Sequence, residues 1–265
     1  MDNILETIAK TTTQRIIEAQ KSCPLAELKK RAEEMECNTG FPFERALRKE
    51  GISFICEIKR ASPSKGMLSE AFPYLQIARE YEKAGADAIS CLTEPYYFKG
   101  SNVYLQEIAK EVSIPILRKD FTVSSYMIYE AKVLGAAAIL LICALLSEEK
   151  LKRYLKTAHA LGLSALVEAH TAYEIEKALK CGARIIGVNN RDLKTFHVDV
   201  ANSAALRKYV PKDCIFVSES GIQTPKDIAM LKEIGTDAVL IGETLMKADK
   251  KEQMLQYLKG GAYCE

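Results

Sequence analysis

A closed (β/α)8 barrel is the fold this sequence predicts, and three observations predict it. Eight short apolar runs recur along 265 residues, separated by segments of helical periodicity. A glycine-containing junction repeats before four of those runs. The length suits a barrel of about 250 residues built as one domain. A doubly wound open sheet is the alternative architecture, but it usually carries fewer strands.

The first 50 residues stand outside the repeat. Ile4-Leu5…Ile8 and Leu25…Leu28…Ala32 predict two helices separated by Pro24. Residues 1–50 are therefore expected to form a helical extension that packs on the barrel and covers one of its ends, within a single domain spanning 1–265. Strands are expected near 52–58, 87–92, 114–118, 137–142, 164–168, 184–189, 214–218 and 237–241. Such runs are apolar throughout rather than alternating, as strands buried on both faces must be. The junctions are Ala84-Gly85-Ala86-Asp87, Leu134-Gly135-Ala136-Ala137, Cys181-Gly182-Ala183-Arg184 and Ile234-Gly235-Thr236-Asp237. Each places a glycine where a helix must end in a left-handed residue before the next strand begins. Between strands, Ile77-Ala78…Tyr81…Ala84 and Leu151…Tyr154-Leu155…Ala158 carry the helical spacing. Thr171 with Glu174, and Thr224-Pro225 with Asp227, supply N-terminal caps.

Composition narrows the function. The chain is 48% hydrophobic, with 37 basic against 35 acidic residues and a net charge of +2. With no long basic block, nucleic acid is not an expected partner, whereas a small anion is. The eight cysteines (23, 37, 56, 91, 143, 181, 214 and 264) show no C-x-x-C spacing. Five of them fall in or beside apolar runs, as small core residues of a reducing compartment. The opening Met1-Asp2-Asn3-Ile4-Leu5-Glu6 carries acid where a secretory leader carries base. No apolar stretch approaches the roughly 18 residues of a membrane span. The expectation is a cytoplasmic protein without a membrane association. The three histidines (159, 170 and 197) sit on separate segments, which argues against a histidine metal site.

Charges close several of the apolar runs. Glu57 and Lys59 end the first, Lys119 follows the third, Glu168 ends the fifth and Glu219 ends the seventh. A charge at the end of a buried strand is costly to desolvate unless it has a partner or a task. In an eight-stranded barrel these ends converge on one mouth, where the site of such folds lies. Two lysines among carboxylates suit acid–base chemistry: opposite charges hold each other ionised, while partial burial draws a lysine's pKa down toward neutrality. Ser220-Gly221 and Gly242-Glu243 follow the last two strands as tight turns that expose backbone N–H groups, the second leading into a short helix. This is where a substrate phosphate commonly binds in the fold. The loop Arg60-Ala61-Ser62-Pro63-Ser64-Lys65-Gly66 has the composition of an anion-binding lid. His170 follows Glu168 by two and could face the mouth, but a surface or capping residue is the expectation.

Taken together these residues resemble one family closely, indole-3-glycerol phosphate synthase. The resemblance rests on Cys56-Glu57-Ile58-Lys59-Arg60-Ala61-Ser62-Pro63-Ser64, Leu92-Thr93-Glu94, Tyr97-Phe98-Lys99-Gly100-Ser101, Leu117-Arg118-Lys119-Asp120-Phe121 and Val167-Glu168. It continues through Gly187-Val188-Asn189-Asn190-Arg191-Asp192-Leu193, Ser218-Glu219-Ser220-Gly221-Ile222 and Leu240-Ile241-Gly242-Glu243. These blocks span essentially the whole chain. The resemblance implies closure of an indole ring on 1-(2-carboxyphenylamino)-1-deoxyribulose 5-phosphate, with loss of carbon dioxide and water, and no cofactor or metal. It implies Lys119 as general acid and Glu168 as general base in the dehydration, with Lys59 as a partner for the substrate's anionic groups or a second proton donor. Glu57 and Glu219 would orient lysines and sugar hydroxyls, with Asn189 and Ser220 as hydrogen-bonding partners. Phe98 and Phe121 would flank the aromatic ring. Ser62, Arg191, Ser220, Gly221, Gly242 and Glu243 would serve binding, chiefly of the phosphate. The expected partner is this small anionic substrate alone, bound by a monomer or weak homodimer. One departure concerns Glu243, which stands where some relatives carry a small hydroxyl residue. Its carboxylate is expected to turn from the phosphate and leave only the backbone N–H to bind.

Two other functions use the same residues. A different phosphosugar barrel enzyme would employ Lys119 or Lys59 as a Schiff-base nucleophile or as an isomerase acid. A barrel that only binds a ligand would need no matched acid and base.

Overall fold

The computed structural model describes residues 4–192 and 197–262. Met1–Asn3, Leu193 and Cys264, named above, lie outside the described residues. The barrel strands are β1 (Ser53–Ile58), β4 (Ala88–Leu92), β5 (Ile116–Lys119), β6 (Ala138–Ile142), β7 (Ser164–Ala169), β8 (Ile185–Asn189), β9 (Ile215–Glu219) and β10 (Ala238–Ile241). A two-stranded hairpin, β2 (Ala61–Ser62) and β3 (Gly66–Met67), sits in the loop after β1. All eight barrel strands pair in parallel, and β1 closes the ring by pairing with both β10 and β4. Each lies on the apolar run that predicted it. The start of β5 is displaced toward Ile116 because Pro115 has no N–H to give the ladder.

Helices α4 (Tyr74–Lys83), α5 (Asn102–Glu111), α6 (Ser125–Val133), α7 (Glu148–Ala160), α8 (Ala172–Lys180), α9 (Ala201–Arg207) and α10 (Pro225–Glu233) intervene between strands. Two more, α11 (Glu243–Lys247) and α12 (Lys251–Leu258), follow β10. The junction glycines Gly85, Gly135, Gly182 and Gly235 all have φ between 76° and 90°, a region that a side chain would strain. Two junctions carry a further device. Asp87 and Asp237 accept from the backbone N–H of Phe54 and Phe216, fastening each junction to the neighbouring strand. Thr171 and Thr224 cap α8 and α10 as predicted, the latter in a full capping box with Asp227.

Strand alternation decides what faces the barrel axis. Ile55, Leu117, Leu166 and Val217 belong to the inner core. Two residues further along the same strands, on the same face, come Glu57, Lys119, Glu168 and Glu219. The opposite face of β1 and β4 carries Cys56, Ile58, Ile89 and Cys91, which pack beneath the helices. The five cysteines expected in the core, Cys56, Cys91, Cys143, Cys181 and Cys214, are buried and free.

The N-terminal extension differs from its prediction. It holds three helices, α1 (Ile4–Ser22), α2 (Leu25–Glu33) and α3 (Pro42–Leu47), where the sequence predicted two. Six residues are too few for α3 to display a period. It also closes both ends of the barrel. Leu5 and Ile8 of α1 join the inner core from the mouth, and Phe43 and Leu47 of α3 join it from the opposite end. At that far end Arg184 pairs with Glu44 at 2.6 Å, and Ser53 Oγ donates to the Ala46 carbonyl. Between them, Leu28 of α2 packs in one cluster with Tyr126 and Met127 of α6.

Candidate active site

All the site residues predicted from sequence line one cavity of about 930 Å³ at the C-terminal ends of the strands. The floor is the inner core, and the charged layer lies directly above it. Lys119 Nζ stands 3.4 Å from Glu219 Oε2 and 3.7 Å from Glu57 Oε2, and Glu57 Oε1 accepts a short hydrogen bond from Lys59. On the far side of Lys119, Glu168 Oε1 lies 3.2 Å from His170 Nε2, and Asn189 is a second hydrogen-bonding partner of that carboxylate.

Burial and pairing pull these groups in different directions. Burial alone would raise the pKa of Glu57, but Lys59 and Lys119 outweigh it and hold the carboxyl below its ordinary range. Glu168 is likewise held down, because His170, Lys119 and Asn189 outweigh its burial. For Lys119 the expected lowering toward neutrality is overturned, while the expected mutual ionisation of opposite charges prevails. Burial does act to lower its pKa, but Glu219, Glu57 and Glu168 together raise it above the ordinary lysine value. The group brought toward neutrality is Glu219, raised from 4.5 to about 7, first by burial and then by Glu168 and Glu57 against the pull of Lys119. Neither Glu219 oxygen makes a directed hydrogen bond among the described residues, so the ion pair with Lys119 is its chief support.

The aromatic wall also differs from expectation. Phe98 and Phe121 lie side by side, with ring centroids 6.1 Å apart and planes tilted by 39°. Sandwiching a third ring between them would need two contacts of about 3.5–4 Å each, so they form one wall rather than two jaws. Glu94 shapes the loop that presents Phe98 by accepting from the backbone N–H groups of Tyr96, Tyr97 and Phe98. The Phe98 carbonyl accepts from Ala61 N and thereby docks the β2–β3 hairpin, whose turn brings Ser62 and Lys65 to the cavity rim.

At the other rim, Ser220 and Gly221 have φ of 70° and 83°. A side chain at Gly221 would be strained by that φ and would strike Val198 and Val200. Ser220 is held in its unusual backbone by Asn190, whose Nδ2 donates to the Ser220 carbonyl and to Ser218 Oγ, both at 3.0 Å. Gly242 faces the charged layer, and a Cβ there would overlap Glu57 Oε1 and lie 3.0 Å from Lys59 Nζ. Glu243 does more than turn aside. Its carboxylate lies 2.7 Å from Lys247, 3.3 Å from Arg191 and 3.8 Å from Lys65, and these cations hold its pKa down despite partial burial.

Three contacts in the site depart from the sequence reading. His170, expected at the surface, turns its ring onto Glu168, the alternative that its position two residues after that carboxylate allowed. Burial opposes protonation of His170, but Glu168 outweighs it and raises the imidazole's pKa. Gly187 makes room for Glu219, since a Cβ there would overlap Glu219 Oε1. Asn190 shapes the Ser220 turn, and nothing in its local sequence marks that role.

Comparison with known proteins agrees with this geometry. The sequence pattern of the family described as indole-3-glycerol phosphate synthase matches residues 5–258. The indole-3-glycerol phosphate synthase of Ruminiclostridium cellulolyticum is 53% identical over 259 residues, covering 98% of this chain and 100% of that protein. That of Endomicrobium trichonymphae is 55% identical over 256 residues, covering 97% and 99%. Among solved structures, a 3-hexulose-6-phosphate synthase superposes with a TM-score of 0.64 at 13% identity, over 79% of this chain and 99% of that one. A tryptophan synthase α-subunit mutant from Pyrococcus furiosus superposes with a TM-score of 0.61 at 15% identity, over 78% and 98%. These structural likenesses show a shared barrel fold. The near full-length match at about half identity shows more: the chain belongs to the indole-3-glycerol phosphate synthase family.

Proposed function

We propose that this chain closes the indole ring of 1-(2-carboxyphenylamino)-1-deoxyribulose 5-phosphate, releasing carbon dioxide and water. The observation that carries the assignment of roles is the place of Lys119, whose amino group lies between Glu57 and Glu219 beside an aromatic wall. The ring carbon bearing the carboxylate attacks the ketone carbon, forming the new C–C bond. The ketone oxygen becomes an alkoxide and takes a proton from Lys119. An alkoxide is far more basic than an amine, so the raised pKa of Lys119 does not prevent this transfer. Departure of carbon dioxide returns its bonding pair to the ring and restores aromaticity. The hydroxyl then leaves as water with a second proton, from Lys59 or reprotonated Lys119, while Glu168 accepts the proton lost as the new ring double bond forms. Glu57 steers both lysines, Asn189 orients Glu168, and Phe98 with Phe121 supports one face of the substrate ring. Ser220, Gly221 and Gly242 receive the phosphate through backbone N–H groups, with Ser62 and Arg191 at the rim. Glu243 acts by positioning Arg191 and Lys65.

A Schiff base on Lys119 would need a neutral amine, and the three carboxylates around it oppose one. Indole fluorescence on mixing the protein with the carboxyphenylamino-deoxyribulose phosphate tests the proposal, with Lys119→Ala alongside. Turnover by the parent and its loss in the variant are expected. A folded parent without turnover, or a substrate trapped covalently by borohydride, would overturn it.

A further inference from the structure

Asp120 separates Lys119 from Phe121, and its side chain is 0% exposed. Thr93 Oγ1 donates to Oδ2 at 2.7 Å, and the Phe121 backbone N–H donates to Oδ1 at 2.8 Å. The carboxylate therefore fixes the chain path between the proposed acid and the aromatic wall. Thr93 grips the same segment a second time, because its own N–H donates to the Lys119 carbonyl at 3.2 Å. Over both lies a residue from outside the barrel. Arg15 of α1 donates from Nη2 to the two Asp120 oxygens at 2.9 and 2.8 Å, and from Nη1 to the Thr93 carbonyl at 3.3 Å.

Neutralising Asp120 does not require that arginine, since the buried guanidinium of Arg118 already stands 3.6 Å from Oδ2. Arg118 donates from Nε to Thr93 Oγ1 at 3.1 Å and is otherwise anchored on Met127 O, Asn102 and Glu130, so it steadies the hydroxyl but makes no hydrogen bond to the carboxylate itself. What Arg15 adds is direction. Its planar fork spans the ends of β4 and β5 together, which a point charge cannot do. Without it the Asp120 carboxylate keeps only the Thr93 hydroxyl and the Phe121 N–H, and the pull of Arg118 on Oδ2 is no longer opposed from the side of α1. Arg15 also anchors the helix whose first turns, through Ile4, Leu5 and Ile8, wall the substrate cavity. Along the helix axis Ile8 and Arg15 lie about 10 Å apart.

We infer that Arg15 is a positioning residue for the reaction, acting through Asp120 and Thr93 to aim Lys119 and Phe121 from the N-terminal helix. This inference rests on the activity proposed above. The test compares the parent with Arg15→Met and Arg15→Lys in the full chain. Arg15→Met should lower kcat at least about tenfold with KM changed less than about threefold, and Arg15→Lys should recover only part of the loss. An independent readout is the Lys119 ¹³Cε–¹⁵Nζ NMR correlation in protein labelled with ¹³C,¹⁵N-lysine, assigned by its disappearance in Lys119→Arg. That signal should shift in Arg15→Met. A purely structural role would lower Tm and leave kcat and the signal in place. A kcat within twofold of the parent, or an unmoved Lys119 signal, would overturn the inference. Should Arg15→Met fail to fold, Arg15→Lys carries the test, because it keeps the charge and loses only the fork. Absence of turnover in the parent would remove the proposed activity instead, and the Lys119 signal would then decide the role of Arg15 alone.

Discussion

Gly242 and Glu57 share one space: a Cβ on the glycine would overlap Oε1 of the carboxylate. The glycine of the last barrel loop thus admits the charged layer, in addition to its proposed part in binding the phosphate. Gly242→Ala must displace Glu57, and with it Lys59 and Lys119. We expect kcat to fall at least about tenfold, since misplacement by an ångström can cost on the order of a hundredfold. Steady-state kinetics beside inorganic phosphate inhibition checks this. A variant altered only in phosphate affinity would show that Glu57 relaxes without consequence.

Lys119→Ala should lower kcat by about 10²–10⁴, the usual contribution of a positioned general acid, and change KM far less. A change confined to KM would reassign the lysine to binding.

Glu219 links the site to stability. Its carboxyl titrates near 7 in the folded protein against 4.5 without these surroundings. Between those values the folded state holds a proton that the unfolded state has lost, so stability falls as pH rises from 4.5 to 7 and stays lower above that range. Glu219→Gln keeps the neutral shape and removes the titration. At pH 8 it should be more stable than the parent by up to about 3 kcal/mol, and the advantage should vanish below pH 4.5. Urea denaturation at the two pH values measures this; an equal difference at both would exclude Glu219 as the source.

His170→Ala removes the hydrogen bond that helps hold the Glu168 carboxyl below its ordinary range. A base whose pKa rises is lost at a higher pH as the solution is acidified. The acidic limb of the kcat profile should therefore move upward in the variant. An unmoved limb would separate His170 from the base.

Much of this site was legible because its signals are local. An apolar run ending in Glu57, Lys119, Glu168 or Glu219 states both a buried strand and a charge at its end, and strand alternation aims that charge. The junction glycines were legible for the same reason, since a left-handed turn is a demand on one residue. Helix α3 was not, being too short for a period to appear. The pairing of Arg15 with Asp120 joins residues 105 positions apart, and no spacing encodes such a contact. The electrostatics misled for a related reason: burial of Lys119 was foreseeable, but its sign depends on three carboxylates brought from three other strands.

By itself, then, the sequence determined the eight strands, their order of alternation with helices, the family resemblance and the residue types at the mouth. These follow from periodicity, turn chemistry and composition, each confined to neighbouring residues. Only the tertiary structure decided that Glu219 rather than Lys119 titrates near neutrality, that Gly187 and Gly242 make room for carboxylates, and that α1 reaches Asp120. Closing the barrel brings distant strand ends within a few ångströms, and at that range the balance of burial against charge, and of space against side chain, belongs to the assembled site rather than to any segment.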